Sequence, residues 1–289
     1  MQIRIGISGW RYPPWRNVFY PKTLPQRLEL HYASRQLNSI EINGSFYSLQ
    51  SPESYKKWHD ETPEDFVFSV KGNRYITHVR RLKEPRTLLA NFFGSGVLHL
   101  RKKLGPFLWQ LPPSLRYDGE RIDDFFRLLP RNFTEASRLT RAADRVEPDL
   151  PEPIPRRRLR HAIEVRHHSF EDPEFVALAR RYHVAIVFAD TAGKWPYFED
   201  LTSDFVYARL HGEMELYKSG YDDASLRWWA RRIRLWQAGR QPKDAETVSS
   251  MKPKREKRDI YVYFDNDVKV RAPFDAARLQ QMLSSARRR

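Results

Sequence analysis

The stretch Ser39-Ile-Glu41-Ile-Asn43 alternates polar and apolar residues in a way that recurs later in the chain. In a β-strand, residues two apart point to the same face, so the isoleucines face one side and the polar residues the other. Three further runs end in polar or charged residues with the same spacing: Val67–Lys71, Ala162–Arg166 and Tyr207–His211. Four strands with polar carboxyl ends predict a shared polar pocket above a barrel of parallel strands.

Strand-like and helix-like segments alternate along the chain. The predicted strands are Ile3–Ser8, Ser39–Asn43, Val67–Lys71, Pro106–Gln110, His161–Arg166, Val184–Ala189, Phe205–His211 and Ile260–Asp265. Apolar residues at three- and four-residue spacing predict helices over Gln26–Arg35, Pro52–Glu61, Glu84–Phe93, Arg121–Leu129, Pro173–Tyr182, Ser225–Gln237 and Pro273–Ala286. Eight such units predict an α/β fold, a single (β/α)8 TIM-type barrel.

Two basic segments interrupt this alternation without dividing residues 1–289 into separate domains. Residues 141–160 form a basic, Pro-rich excursion before strand five, and residues 241–258 read as a flexible basic loop before strand eight. A third basic stretch, residues 287–289, ends the chain. The two irregular insertions connect helix ends to strand starts, so we expect them at the amino-terminal face of the barrel.

Composition limits the classes of protein to consider. Cysteine is absent, which excludes disulfides, thiolate nucleophiles and cysteine metal sites. Neither a signal-like start nor an apolar run of roughly 18 residues is present, so we expect a soluble, cytoplasmic protein without a membrane partner. The chain carries 51 Lys+Arg against 36 Asp+Glu, a net charge of +15. This excess makes nucleic acid a possible partner through the basic loops.

Candidate functional residues lie at the strand ends and in the loops that follow them, where barrels of this type place their active sites. The candidate catalytic residues are Glu41, Glu164, Asp190 and His211. The candidate substrate-binding residues are Trp10, Tyr12, Asn43, Tyr47, Lys71, His78, Gln110, Arg166, Arg209, Tyr221, Asn266 and Asp267. A bland alternative is a salt-bridge network that plugs the barrel mouth, but so many ionisable groups on one rim favour a functional site.

Two chemistries remain open for such a site. In a metal-free site, Lys71, Arg166 and Arg209 bind an anion, while His211 and either Glu41 or Glu164 serve as the groups that exchange protons. In a metal site, a divalent cation is held by four residues from strands five to eight: Glu164, Asp190, His211 and Asp267. The strand order resembles that of metal-dependent isomerases and epimerases of xylose isomerase-like barrels. Arg166 and Arg209 would repel a cation there, so we favour the metal-free site and predict no cofactor.

Ordered motifs identify a family resemblance across nearly the whole chain. They are Ile5–Tyr12, Phe19–Pro21, Ile40–Tyr47, Phe68–Lys71, Ile76–His78, Lys103–Pro106, Gln110–Pro113, Glu164–Arg166, Tyr207–Gly212 and Tyr263–Asp267. The chain resembles the domain of unknown function 72 family, also called YecE-like. The resemblance implies a TIM-type barrel and no established activity. Two residues depart from the family pattern: Gly44 where Ser or Thr is usual, and Asp265 where Asn is usual, which makes Asn266 the preferred amide candidate.

The residues thus favour an enzyme that hydrolyses or isomerises an anionic substrate, phosphorylated or carboxylated. The alternatives are a nucleic-acid-binding or repair-associated protein, and a metal-dependent isomerase, epimerase or nuclease-like barrel. The basic loops are expected on the face opposite the pocket, which argues against a nuclease site that uses both.

Overall fold

Eight strands form the centre of the computed structural model, which describes residues 1–212, 214–217, 219–266 and 268–285. The strands are β1 (Ile3–Ser8), β2 (Ser39–Ile42), β3 (Val67–Lys71), β4 (Leu104–Gln110), β5 (His161–Glu164), β6 (Ala185–Asp190), β7 (Phe205–Leu210) and β8 (Asp259–Phe264). They pair in parallel in sequence order, and β1 pairs with β8 to close the barrel. The predicted (β/α)8 TIM-type barrel is therefore confirmed.

Helices surround the barrel. They are α1 (Glu29–Gln36), α2 (Gly44–Tyr47), α3 (Pro52–Glu61), α4 (Pro85–Gly94), α5 (Gly119–Leu128), α6 (Phe133–Thr140), α7 (Pro173–Arg181), α8 (Asp223–Gln237) and α9 (Ala272–Ser285). The helix start at Ser51 is capped, because its side chain accepts a hydrogen bond from the main-chain nitrogen of Ser54. Among the described residues, no helix combines the length and apolar character needed to cross a bilayer.

Helix α6 was not among the predicted helices. Its cap is Asn132, whose Oδ1 accepts from the main-chain nitrogen of Glu135 at 2.9 Å. Glu135 in turn accepts from the main-chain nitrogen of Arg131 at 2.6 Å. An Asn followed three residues later by Glu resembles a capping box and was the sequence signal for this helix.

The barrel interior is packed with side chains along its axis. Alanine, valine, leucine, phenylalanine and tyrosine side chains form this inner cluster. Tyr207 lies 2.7 Å from Ser69 (Oη–Oγ), and Tyr263 lies 2.7 Å from Ser39 (Oη–Oγ). All four side chains are buried. A ligand therefore has to bind above this packed interior, at one end of the barrel.

The two insertions lie at the amino-terminal end of the barrel, and their residues, all of which the structure describes, form neither helix nor strand. In residues 141–160, Arg160 donates to Asp259, the first residue of β8 (Nη1–Oδ2 2.8 Å). In residues 241–258, Arg258 donates through Nε to a main-chain oxygen just before β7, at 2.9 Å. Both segments therefore occupy the face that their place in the sequence predicts, opposite the polar strand ends.

Candidate functional site

Arg209, near the end of β7, is the centre of a buried charge network. Its guanidinium donates to Glu41 of β2 (Nη2–Oε1 2.9 Å) and to Glu164 of β5 (Nη1–Oε2 2.8 Å). It also donates to Asp265, which directly follows β8 (Nη2–Oδ2 2.9 Å). The side chains of Arg209, Glu41 and Glu164 are fully buried. Because the barrel is closed, strand ends far apart in the sequence meet through this one side chain.

Glu41 is hydrogen-bonded through both carboxylate oxygens. Ser8 donates to Oε1 at 2.7 Å, and Tyr207 donates to Oε2 at 2.5 Å. Arg209 completes the set of donors. We call these groups, together with Glu164, the buried floor. A carboxylate held by three donors and shielded from solvent is suited to fix the position of its neighbours.

The charge states in this network follow from burial and from the neighbouring guanidinium groups. Burial disfavours ionisation of Glu164, but Arg166 and Arg209 outweigh it and hold its pKa well below the usual range. Burial also acts against the charge on Asp265, whereas Arg209 and His211 lower its pKa to about 2. Burial, and then Arg209, lower the pKa of His211. At neutral pH the carboxylates of Glu164 and Asp265 are thus charged and the imidazole of His211 is neutral.

A cavity of about 750 Å³ lies above the buried floor, at the carboxyl ends of the strands. Its ionisable walls, within the described ranges, are mainly basic: Arg11, Lys71, Arg74 and Arg166 face a single carboxylate, Asp265. Counting Arg209, Glu41 and Glu164 beneath, five basic groups accompany three acidic ones. The cavity therefore attracts anions.

Arg166 is fixed in place on one side of the cavity. Its Nε donates to Glu164 Oε1 at 2.7 Å, and its guanidinium carbon lies 3.7 Å from the ring centroid of Trp195. Its Nη2 lies 3.4 Å from the hydroxyl of Tyr217. Among the described residues, Nη1 has no hydrogen-bond partner. A planar guanidinium with a free edge on an anion-attracting cavity is suited to bind carboxylate or phosphate.

Lys71, at the end of β3, is the other buried cation on the wall. Its Nζ lies 4.3 Å from the ring centroid of Phe46. Burial, and then the charge of Arg209, lower the pKa of Lys71 to about 8. In the part of the chain that the structure describes, the ammonium makes no hydrogen bond or ion pair with a protein group. This differs from Arg209 and Arg166, whose charges are matched by carboxylates.

Neutral polar groups complete the wall. Asn43 Oδ1 is buried and has no hydrogen-bond partner within the described ranges. Gln110 donates to Glu164 Oε1 at 2.9 Å. Burial, and then Lys71, lower the pKa of His78 to about 4, so its ring is neutral at pH 7. A buried polar oxygen without a partner, such as Asn43 Oδ1, is uncommon in proteins.

Aromatic rings give the cavity an apolar side. They are Trp10, Tyr12, Phe46, Tyr47, Trp58 and Tyr217. Trp10 and Trp58 meet edge to face with centroids 5.3 Å apart, so α3 contributes to the wall although it lies outside the barrel. Tyr47 is 71% exposed, at the cavity mouth. An anionic ligand with a carbon skeleton would thus find both charge and apolar contact.

The structure brings most of the predicted site residues together, at two depths. Eight line the cavity: Trp10, Tyr12, Asn43, Tyr47, Lys71, His78, Gln110 and Arg166. Four lie beneath it and are fully buried: Glu41, Glu164, Arg209 and His211. A ligand in the cavity would therefore touch the first group and be influenced by the second through hydrogen bonds.

Three predicted residues lie away from the cavity, and one lies outside the described residues. Tyr221 donates to Asp190 Oδ2 at 2.9 Å, which links the loop after β7 to the end of β6. Asn266 is buried and donates to Asp275 of α9 at 3.0 Å, so it anchors the loop after β8. Asp267 lies outside the described residues.

Several wall residues were not predicted. Arg11, Arg74 and Asp265 come shortly after strand ends, and their position in the sequence was a sufficient signal. Asp265 was set aside in favour of Asn266, but it is Asp265 that contacts Arg209. Trp58 and Tyr217 reach the cavity through tertiary packing, for which the sequence gives no local signal.

The groups around Glu164 also bear on the alternative that the site holds a divalent metal ion. Among the described residues, no three His, Asp or Glu side chains are placed to hold a metal ion. The carboxylate of Glu164 already accepts from Gln110, Arg166 and Arg209. Two of these three donors are guanidinium groups, which would repel a divalent cation. These groups fit an anion better than a metal ion.

Comparisons with known proteins support the fold and name a family. Over 116 residues the chain is 32% identical to UPF0759 protein YunF of Bacillus subtilis, and over 110 residues it is 28% identical to UPF0759 protein YecE of Escherichia coli. Each alignment covers 38% of this chain, and they span 40% and 38% of the two relatives' own lengths.

Two solved structures share the barrel. A DUF72 family protein from Thermotoga maritima is 23% identical with a TM-score of 0.72, and covers 98% of this chain and 100% of its own. One from Enterococcus faecalis is 16% identical with a TM-score of 0.67, and covers 98% and 96%. At these identities the likeness concerns the fold alone. The family model described as "Protein of unknown function DUF72" matches residues 4–289, and the chain therefore belongs to the DUF72 family.

Proposed function

We propose that this protein is an enzyme that performs acid/base chemistry, a hydrolysis or an isomerisation, on a small anionic substrate. The observation that carries the proposal is the excess of basic groups on the wall of a cavity at the carboxyl ends of the barrel strands. Barrel enzymes place their active sites at this end. A phosphate or carboxylate group of the substrate would lie against Arg166, with Arg74 and Arg11 at the mouth.

The candidate residues have different roles, according to whether they belong to the buried floor or face the cavity. Glu41, Glu164 and Arg209 are fully buried and mutually paired, so they act as positioning residues. Lys71 faces the cavity, and its pKa of about 8 suits proton exchange near neutral pH. Asp265 is the one carboxylate on the wall among the residues that the structure describes. Lys71 and Asp265 are therefore our candidates for groups that touch the substrate during proton transfer.

The test is anion binding to the purified full chain. Inorganic phosphate and small carboxylates should raise the melting temperature, since a ligand that binds only the folded state stabilises it by about 2.7 kcal/mol at 100 times its Kd. In R166Q this rise should disappear. The matched control is R127Q, which changes an exposed arginine on α5. Equal rises in R166Q and wild type would remove the anion-binding role of Arg166.

A second candidate, nucleic-acid binding, rests on the amino-terminal face. A cavity of about 950 Å³ there is lined by basic residues of both insertions, including Arg156, Arg158 and Lys254. The side chains of Arg158 and Lys254 are 80% and 82% exposed. Phosphate binding at this face predicts affinity for duplex DNA that falls steeply with salt concentration. Affinity that does not depend on salt would remove this candidate.

A further inference from the structure

Lys71 is placed unlike the other buried cations of the site. It is 8% exposed, and it lines the cavity at the end of β3. The face of the Phe46 ring lies 4.3 Å from its ammonium. Within the described residues, no carboxylate lies within 4.0 Å of Nζ and no protein oxygen accepts from it. The amine is thus presented to the cavity and not used in holding the fold.

Lys103 shows how this chain treats a buried lysine with a structural role. It is 5% exposed, similar to Lys71. Its Nζ donates to the main-chain oxygens of His59 and Thr62, at 2.5 and 2.8 Å. Because its amine makes these hydrogen bonds to the main chain, it is not available to a ligand. Lys103 therefore serves as an internal reference for a buried but occupied lysine.

The electrostatic surroundings of Lys71 favour its neutral form. The charged groups that influence it are Arg209 of β7, Glu41 of β2, Glu164 of β5 and Asp265 after β8. Burial and Arg209 outweigh the three carboxylates and lower its pKa to about 8. About a tenth of Lys71 is then a free amine at pH 7, against less than about a thousandth for an ordinary lysine. Desolvation beside another cation is a known way to make a lysine nucleophilic.

We propose that Lys71 forms a Schiff base with the carbonyl carbon of an anionic aldehyde or ketone. This inference rests on the proposed function, and it narrows the substrate class to carbonyl compounds that carry a phosphate or a carboxylate. The charged group lies against Arg166, and the carbonyl lies toward Nζ.

The step is balanced without an oxidant or a metal. The neutral Nζ gives its electron pair to the carbonyl carbon, the carbonyl π pair moves to oxygen, and a proton passes from nitrogen to that oxygen. The new hydroxyl takes a proton from solvent and leaves as water, while the lone pair of nitrogen, which keeps its remaining proton, forms the C=N bond of a protonated imine. The protonated imine then withdraws electrons from the adjacent carbon, which makes a proton on that carbon easier to remove. Removal of such a proton is the first step in moving a carbonyl group to the adjacent carbon, which is an isomerisation.

The experiment traps the imine. Full-length protein is incubated with glyceraldehyde 3-phosphate and sodium cyanoborohydride at pH 7, and reduced adducts are located by peptide mass mapping. We expect Lys71 to be labelled about tenfold or more faster than the exposed Lys22 and Lys57, with Lys103 unlabelled. The K71M and K71R variants should lose this fast adduct and keep the slow ones. Labelling of Lys71 no faster than of the exposed lysines overturns the proposal.

Neutral glyceraldehyde separates this inference from the proposed function. We expect slower trapping at Lys71 with the neutral aldehyde than with the phosphorylated one, and R166Q should remove the difference. Fast trapping with no preference for the phosphorylated probe supports the imine and contradicts the anion site. Phosphate stabilisation of the fold without fast trapping overturns the imine and leaves the anion site. Absence of both overturns both.

Discussion

At the scale of single residues, Arg209 shows how much of this site depends on one side chain. It pairs with three carboxylates: those of Glu41 on β2 and Glu164 on β5 are fully buried, and that of Asp265 after β8 is partly exposed. Removing one member of a buried ion cluster leaves the remaining charges uncompensated. Glu41 would keep its bonds from Ser8 and Tyr207 but would no longer have its counter-charge.

We therefore expect R209M to lower the free energy of unfolding by about 3–5 kcal/mol. Denaturant unfolding followed by circular dichroism measures the change. The control R127M removes an exposed guanidinium paired on the surface of α5, and it should leave stability almost unchanged. A decrease of similar size in both variants would show that Arg209 has no special structural role.

Arg209 stabilises the folded protein, whereas the charged form of Lys71 is expected to destabilise it. Its pKa falls from 10.5 to about 8 on folding, so the folded protein disfavours the ammonium. The unfolded chain binds more protons between pH 8 and 10.5, and the stability of the wild type therefore rises over that interval. Below pH 8 the charged lysine costs about 3 kcal/mol, by about 1.4 kcal/mol for each unit of the shift.

We therefore expect K71M to be more stable than the wild type at pH 7, with the difference shrinking toward pH 10.5. Free energies of unfolding at both pH values measure this. If K71M is less stable at pH 7, burial of this ammonium is not costly and the argument for its reactivity weakens. A gain in stability together with the disappearance of imine trapping is the expected combination for a site residue.

Single residues also show where inference from the sequence ends. Alternation assigned Glu41 and Asn43 to one face of β2, and both do reach the carboxyl end of the barrel. The sequence did not predict how deeply each side chain is buried, because this depends on where each strand ends relative to its neighbours in the closed barrel. Glu41 is fully buried beneath the cavity, whereas Asn43, two residues on, lines it.

At the scale of elements, the strands were predictable and the loop-borne structure only in part. Short apolar runs indicated the strands because each one must fill the barrel interior and also contact the helices. Helix α6 was missed because its signal, Asn132 with Glu135, lies in a polar segment next to the Pro-rich insertion. Trp58 of α3 was missed as a wall residue because only tertiary packing brings it to Trp10.

The pairing of β4 with β5 includes a buried histidine that should make stability depend on pH. His161 accepts from Trp109 (Nε1–Nδ1 3.2 Å), and its Nε2 donates to the main-chain oxygen of Pro130 at 2.7 Å. Burial, and then Arg131, lower the pKa of His161 to about 3. As the pH falls, His161 is protonated in the unfolded chain before it is protonated in the folded protein. Stability therefore decreases as the pH falls below about 6.5.

We expect the free energy of unfolding to decrease from pH 6.5 toward pH 4, with His161 contributing at most about 1.4 kcal/mol per pH unit. In H161Q this slope should be shallower, even though the variant is less stable at every pH because its packing changes. Denaturant unfolding at several pH values separates slope from offset. Equal slopes for wild type and H161Q would rule out His161 as a source of acid sensitivity.

At the scale of the whole molecule, the barrel separates two basic regions. The cavity lies at the carboxyl ends of the strands, above a packed interior. The basic insertions lie at the amino-terminal end, where Arg160 pairs with the first residue of β8. The net charge of +15 alone did not distinguish these places. A small anion and a polyanion can therefore have separate binding faces on one chain.

This separation predicts that the two faces respond to different mutations. Replacing the exposed Arg156, Arg158 and Lys254 together by glutamine should weaken binding to duplex DNA. It should also make the plot of log affinity against log salt concentration less steep, by about 0.9 in slope for each phosphate that the protein no longer neutralises. The same triple variant should keep the phosphate-induced rise in melting temperature, since distant sites act independently. R166Q should show the reverse pattern. If the triple variant abolishes the phosphate effect as well, the two faces are coupled and a single anion site at the carboxyl ends of the strands does not explain the binding.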